Sequence, residues 1–393
     1  KSKLFVVVGD LFDRCHVSPS YRELVRKDII EPLGKEGIDV WLIAGNHDQP
    51  HSFQRATSLD DFRGYGHVNV FRKPDRMLLE IERESGREGI GFIILPYLHP
   101  EQLADLVREK KGEDVKRGEM FALGQRMLKE WMRRRTEEFG NRKKILFAHY
   151  FIQGSKLRET SSPEVLPDEF QLTMDMIPEG IDIAVFGHVH LHQVLRARSP
   201  VLYTGAVERI DMGERNDVKG FISLSLSPGD ERGSFGALRE GATEAGADRE
   251  KEQCEKGNGG HSAGGRILWR FNQLPVREMK RIDVTVASSD REPTAKVIEK
   301  LSGTVDEIVS LNISVEEGMR ERIDTREIAR RLDGAFHYEL RWKELSKETS
   351  GFISFSSDLS AVLEEFIKLN YGSHPKYEEI RKRAAETLRE VIE

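Results

Sequence analysis

Val40-Trp41-Leu42-Ile43-Ala44-Gly45-Asn46-His47-Asp48 runs from a buried-strand pattern through one glycine into three side chains that can bind metal or carry protons. Three other stretches end the same way. Leu4 to Val8 meets Gly9-Asp10, Ile145 to Ala148 meets His149, and Ile183 to Phe186 meets Gly187-His188-Val189-His190. Unbroken apolar runs mark strands covered on both faces, and α/β sheets gather ligand groups just past the carboxyl ends of their strands. The four endings are therefore expected to converge on one rim. Between the first two runs, Leu24, Val25, Ile29 and Leu33 fall on one side of a helix covering Tyr21 to Leu33. That makes a βαβ unit, with parallel strands and a right-handed crossover.

Asp10, Asn46, His149, His188 and His190 are a mixed oxygen and nitrogen donor set. It suits manganese, iron or zinc and is too rich in nitrogen for a dedicated magnesium or calcium cage. One carboxylate can bridge two cations, as in hydrolytic sites that hold ions roughly 3.5 to 4 Å apart. A lone histidine is usually a satisfied loop or core residue, but four strand-terminal clusters together point to a metal site. Adjacent residues at a turn point different ways, so Asn46 can face metal while His47 faces substrate, with Asp48 fixing the imidazole tautomer and holding it protonated. His47 is thus the candidate acid or transition-state stabiliser, and Asp48 its support. His51, His67, His99, His192, His261, His337 and His374 lack partners at ligand spacing and are expected to be loop or surface groups.

With 393 residues the chain is long enough for two or three domains, and 38% hydrophobic against 33% charged residues is the balance of a globular protein. The formal net charge of -6 argues against a basic coat for nucleic acid but leaves room for a local positive patch. Arg133-Arg134-Arg135, interrupted by Glu137 and Glu138, reads as a solvated helix face. No apolar run approaches the roughly 20 residues of a membrane span. Cys15 and Cys254 are too few for a disulfide framework, so a cytoplasmic setting is expected.

The elements expected along the chain give three domains. Val68 to Phe71, Met77 to Ile81 and Ile90 to Leu95 read as antiparallel additions, Gly118 to Phe139 as a long helix, and Val201 to Tyr203, Gly220 to Leu226 and Ile267 to Phe271 as strands. The stretch 228–266 is dense in Gly, Glu, Ala and Arg and is expected to be a disordered insertion in a hairpin of the first domain, 1–275. Residues 276–350 read as a small two-layer α+β unit and 351–393 as two amphipathic helices.

In order, the motifs GDLFD, GNHD, a lone His after a strand, and GHVH resemble those of calcineurin-like metallophosphoesterases. Within that group GDLFDRCHVSPS, HYFIQGS and GAVERIDMGE resemble the SbcD-type nuclease of double-strand break repair, the meiotic-recombination-eleven family of archaea and eukaryotes. The resemblance implies a four-layer αββα sandwich with a capping DNA-binding domain and a C-terminal helical pair. It implies Mn2+-dependent 3'-5' exonuclease and single-strand endonuclease activity on DNA ends and single-stranded DNA, with two Mn2+ ions (Mg2+, Fe2+ or Zn2+ as substitutes). Asp10 would be the bridging carboxylate, Asn46, His149 and His188 would complete the second metal site, and His190 would belong to the first.

The same resemblance implies an SbcC-type coiled-coil ATPase held by 351–393, a homodimer through the phosphoesterase domain with a helix around Ser52 to Phe62 as candidate contact, a nucleoid-associated location and an archaeal source. Two departures stand out. The family's first strand carries an Asp-x-His motif that would precede Lys1, so the chain is expected to be N-terminally truncated, to bind one ion well and the other poorly, and to have little or no nuclease activity. Asp13 also stands where archaeal and eukaryotic relatives usually have His. The competing readings are another calcineurin-like phosphodiesterase or a catalytically dead scaffold bridging DNA and the ATPase.

Overall fold

The computed structural model describes residues 3–83, 86–111, 117–157, 169–195, 199–227, 266–345, 363–364, 366–368 and 376–392. It divides into two compact units, Lys1–Glu278 and Met279–Glu393. The first opens with β1 (Leu4–Val8), α1 (Pro19–Val25), a π turn (Arg26–Ile30), α2 (Glu31–Lys35), β2 (Asp39–Ile43), a 3-10 segment (Ser58–Gly64) and β3 (Val68–Phe71). The expected helix over Tyr21 to Leu33 is thus present, widened by one π turn. Pro32 has no N–H to return to the preceding turn, and the Glu31 amide reaches back to Arg26 instead.

β1, β2 and β3 form one parallel sheet in that order. A second sheet has six strands in the order β4-β5-β6-β7-β9-β8, from β4 (Asp75–Arg83), β5 (Gly86–Leu95), β6 (Lys143–His149), β7 (Ile183–Gly187), β8 (Gln193–Leu195) and β9 (Val201–Tyr203). Before β6 come α3 (Pro100–Lys111) and α4 (Arg117–Glu138), the latter within a residue of the expected span at each end. β10 (Gly220–Ser227) and β11 (Arg266–Gln273) pair antiparallel as the expected hairpin, and the insertion between them lies outside the described residues.

Side-chain alternation explains the unbroken apolar runs. Ile145 and Phe147 of β6 and Ile183 and Val185 of β7 join Trp41 and Ile43 of β2 in one core. Leu146, Ala148, Ala184 and Phe186, on the opposite face, join Leu103, Leu128 and Met132 of α3 and α4 in another. Val40, Leu42 and Ala44 pack with Ile30, Leu59 and Phe62 in a third. Strands so placed have no wet face and carry no polar alternation. On the outer side of α4, Arg133, Arg134 and Arg135 pair with Glu130, Glu137 and Glu138, a solvated face as read from the sequence.

Two strand readings and one helix reading are corrected. β3 pairs parallel to β2, because the chain crosses back through the 3-10 segment before entering it. β5 is antiparallel to β4 but parallel to β6. The segment from Ser52 to Phe62 is no α-helix: only its end is helical, as 3-10, and Leu59 and Phe62 point into a core.

The second unit contains β12 (Met279–Val286), α5 (Pro293–Glu299), β13 (Ile308–Glu316), α6 (Thr325–Leu332) and β14 (His337–Leu345). All three strands are parallel, in the order β12-β13-β14. Strict alternation of strand and helix makes this α/β rather than the expected α+β, since each crossover helix returns the chain to the same end of the sheet. Val284, Leu311, Ile313, Ile328 and Leu332 form its core, and Asp324 caps α6 by accepting from the amides of Arg326 and Glu327. Of the helical pair, α7 (Tyr377–Ile392) is present as read. Only 363–364 and 366–368 of the earlier helix are described, all helical, with Ile367 buried, and the Gly372-Ser373-His374-Pro375 stretch, expected as the turn joining the pair, lies outside the described residues.

Candidate metal centre

The four motif-bearing strands belong to two sheets, not one. β1 and β2 lie in the three-stranded sheet, β6 and β7 in the six-stranded sheet, and their carboxyl ends meet where His149 Nδ1 donates to the Val8 carbonyl at 2.7 Å. Directly after β1 the backbone turns left-handed at Asp10, with φ 54°, and after β7 it does so again at His188, with φ 86°. Such conformations cost a side-chain-bearing residue energy and gather at functional sites. Gly45 lets Asp10 lie against the loop after β2: a Cβ there would sit 2.1 Å from Asp10 Oδ1.

The donors converge. Asp10 Oδ2 lies 3.0 Å from His149 Nε2, and Asn46 Oδ1 lies 3.1 Å from His149 Nε2 and 3.0 Å from His188 Nδ1. Asp10, His149 and His188 each present a ligand atom within 4.8 Å of the other two. With its Nδ1 proton committed to Val8, a neutral His149 aims an Nε2 lone pair at two oxygens. A cation at the point they share resolves that repulsion, so the donor set fits a divalent metal. Without one, a proton substitutes: burial disfavours charging His149, but the Asp10 carboxylate outweighs it and raises the ring's pKa. Burial likewise resists ionisation of Asp10, yet His149 and His47 hold its pKa at about 2.

His47 is exposed, and its own amide donates to Asp10 Oδ1 at 2.9 Å. Its Nδ1 donates to the Asp13 carbonyl at 3.0 Å, which leaves Nε2 free. This corrects the expected His47–Asp48 pair. The Asp48 carboxylate is buried and accepts from the amides of Leu11 at 3.3 Å, Phe12 at 3.2 Å and Gly45 at 3.0 Å. Asp48 therefore staples the loop after β1 to the loop after β2. Burial, then the Asp10 charge, push its pKa up to about 6 against the pull of those amides. The Asp13 side chain is turned to Arg14 at the surface.

His190 stands outside the converging cluster, and its Nδ1 lies 2.8 Å from Glu214 Oε1. Glu169 Oε1 lies 3.2 Å from His188 Nε2 without the geometry of a hydrogen bond, and Glu169 is hydrogen-bonded by Tyr97. Neither glutamate, nor Lys219 on the far side of Glu214, was legible as a site residue, because distant glutamates and lysines carry no ligand spacing. Among the remaining histidines, His192 stacks on Phe271 and bonds the Tyr203 carbonyl, while His51 stacks on His99 and pairs with Glu101.

Residues 1–192 match the model of the calcineurin-like phosphoesterase family. This stretch is a calcineurin-like phosphoesterase domain. The domain contains every residue of the cluster together with His47, Asp48 and His190. The chain is 24% identical over 230 residues to the SbcD component of the nuclease SbcCD of Bacillus subtilis (strain 168), which covers 58% of this chain and 56% of that protein. To the DNA double-strand break repair protein Mre11 of Thermoplasma acidophilum it is 25% identical over 225 residues, covering 56% of this chain and 48% of that one. It thus spans about half the length of the curated relatives it matches. Both relatives belong to the SbcD/Mre11 group that the motifs resemble. A solved structure, GAP50 the anchor in the inner membrane complex of Plasmodium, aligns with a TM-score of 0.32 at 8% identity over 52% of this chain and 71% of that one, too slight a likeness to argue from. Among the described residues no helix is long and apolar enough to cross a membrane.

Proposed function

We propose that this chain is the nuclease subunit of a DNA double-strand break repair complex, cutting DNA phosphodiesters with two Mn2+ ions as a 3'-5' exonuclease and single-strand endonuclease. The observation that carries the reading is the convergence of Asp10, Asn46, His149 and His188 from four strand ends on two sheets. The three separate cores of the first unit support a four-layer αββα sandwich. In this reading the second unit is the DNA-binding domain that the resemblance implies, 351–393 grips an SbcC-type ATPase, and the phosphoesterase domain dimerises.

Asp10, Asn46, His149 and His188 would hold one cation, and Asp10 with His190 the other. When bound, the ions supply an activated water and a Lewis acid for the phosphate. Asp10 is ionised and pinned by the His47 amide, so it offers its outer oxygen without rearrangement. With its Nδ1 proton spent on the Asp13 carbonyl, His47 would face substrate through Nε2 and, in its imidazolium form, would pass the Nε2 proton to the leaving oxygen, leaving the neutral Nδ1–H ring. Asp48 keeps the loops bearing Asp10 and His47 in register through three backbone amides.

The test is Mn2+-dependent turnover of single-stranded DNA beside a cyclic nucleotide and a phosphopeptide, with His188→Ala as control. DNA cleavage lost in the variant supports the proposal. Turnover of the cyclic nucleotide or phosphopeptide with no DNA cleavage would assign the site to another phosphoesterase. One tight Mn2+ site and one weak one are expected by calorimetry, since among the described residues Asp10, His149 and His188 come within 4.8 Å of one another and His190 is not in that group.

A further inference from the structure

We propose that Glu214 and Lys219 form a positioning brace for His190, fixing its ring so that Nε2 is the nitrogen offered to a divalent cation. The inference rests on reading His190 as a ligand of the first cation. Three contacts close a circuit on one residue. His190 Nδ1 lies 2.8 Å from Glu214 Oε1, Glu214 Oε2 lies 2.8 Å from Lys219 Nζ, and Lys219 Nζ donates to the His190 carbonyl at 3.1 Å. Ring and main chain of His190 are thereby tied to the same pair of side chains. The Ala206 amide also donates to the His190 carbonyl, at 3.1 Å, and the Ile210 amide to Glu214 Oε2, at 3.3 Å.

The chemistry of the partners decides the tautomer. Glu214 accepts on its far side, where Lys219 Nζ at 2.8 Å and the Ile210 amide at 3.3 Å both donate to Oε2, the arrangement of a carboxylate paired with an ammonium. An ionised carboxylate only accepts, so His190 Nδ1 must carry the proton and Nε2 the lone pair. Ring exposure agrees with that direction: the His190 side chain is 26% exposed while Glu214 is 1%. Lys219 is also wholly buried, its side chain 0% exposed. A buried ion pair is a weak device for stability, since apolar residues of the same shape often do as well or better. Its place behind a candidate ligand points to orientation instead. A carboxylate behind a metal-binding imidazole sets ring direction and basicity. The brace is anchored outside the site too, since the Lys219 carbonyl accepts the Leu274 amide at 2.8 Å at the base of the β10–β11 hairpin.

The test uses the full chain with 15N-labelled histidine rings, free of metal and above the histidine titration range, so that NMR reads the tautomer independently of turnover. Wild-type His190 is expected as the Nδ1–H form, and finding it as Nε2–H would overturn the proposal without any variant. Glu214→Leu with Lys219→Met removes the brace while leaving no unpaired charge. It is expected to shift His190 toward the Nε2–H form and to weaken the weaker Mn2+ site by roughly 10- to 100-fold in calorimetry. Glu214→Gln with Lys219→Met keeps an acceptor for Nδ1 and is expected to restore the tautomer and most of the affinity, which also covers the case in which the Leu variant misfolds. An unchanged tautomer and unchanged Mn2+ binding in the Leu variant would overturn the brace. Unchanged Mn2+ binding in His190→Ala would instead overturn the ligand reading beneath it, so the two failures are separable.

Discussion

Gly9→Ala measures how closely the two sheets are joined at the metal centre. Gly9 has φ +91°, and a Cβ there would lie 1.8 Å from His149 Nδ1 and 2.4 Å from Cγ of the same ring. His149 is buried and cannot swing into solvent. Three costs follow. An alanine forced into left-handed backbone costs about 1–2 kcal/mol, displacing a packed ring about 1–3 kcal/mol, and losing the bond from Nδ1 to the Val8 carbonyl about 1–3 kcal/mol. Allowing for overlap among them, the variant should be destabilised by about 3–6 kcal/mol, a large part of a typical domain stability of roughly 5–15 kcal/mol.

Gly154→Ala separates strain from collision. Gly154 has φ +90°, almost the same φ, with nothing within 4 Å of its Cβ position. It should show only the conformational cost of about 1–2 kcal/mol. Urea unfolding of the metal-free proteins reads the difference as a shift in midpoint at constant slope. In Gly9→Ala the displaced ring also carries Nε2 away from Asp10 and Asn46, so Mn2+ affinity should fall, whereas Gly154→Ala should leave it unchanged. Equal midpoints for the two variants, with Mn2+ binding intact in Gly9→Ala, would mean that His149 is not seated against Gly9 and that the join between the sheets is misread.

Two further outcomes are expected. His47→Ala should lower DNA cleavage by about 10^2- to 10^4-fold without weakening Mn2+ binding, because the contact to Asp10 is made by the His47 amide, which alanine retains; a parallel loss of Mn2+ affinity in calorimetry would make the ring structural. Asp60→Ala removes a carboxylate that accepts from the Thr57 amide, Arg63 and Arg72, and should cost about 1 kcal/mol near neutral pH as a lost cap. Burial raises the Asp60 pKa, but those partners outweigh it and leave it below 3.8. The contribution is then complete above 3.8 and lost as pH falls through the lower folded value, so wild type and variant should converge in acid. A gap that stays constant through the acid limb of an unfolding titration would refute an ionised, paired Asp60.

What could be read from the chain depended on how far each interaction reaches in sequence. Strand runs and the 3.6-residue stripes of α4 and α7 are local, and their spans fall where periodicity placed them. The residues that converge, Asp10, Asn46, His149 and His188, were legible for the same reason: each sits within a few residues of a strand end, and chemistry restricts which side chains can serve as donors. Sheet membership was not legible. β1 and β6 carry the same pattern of apolar residues, and nothing in either run says that it joins three strands or six. The direction of β3 also escaped, since a strand preceded by a loop reads alike whether the chain crosses over or doubles back.

The support beneath the site was hidden for a different reason, and that reason bears on its function. Asp48 neighbours His47 in sequence, which invites pairing, yet backbone geometry gives His47 to the Asp13 carbonyl and turns Asp48 to three amides. Glu169 and Glu214 meet their histidines only because loops following separate strands bring them back to the rim. Candidate ligands come from a short list of side chains, so type and position together give them away. An orienting partner needs only an acceptor at the right point in space, a condition that backbone carbonyls, amides and remote glutamates satisfy equally well. Donor identity at this centre is therefore written at the strand ends, while the aim of each donor is set by tertiary contacts. Substitutions of the brace should accordingly change how tightly and where a cation sits before they change whether the fold forms.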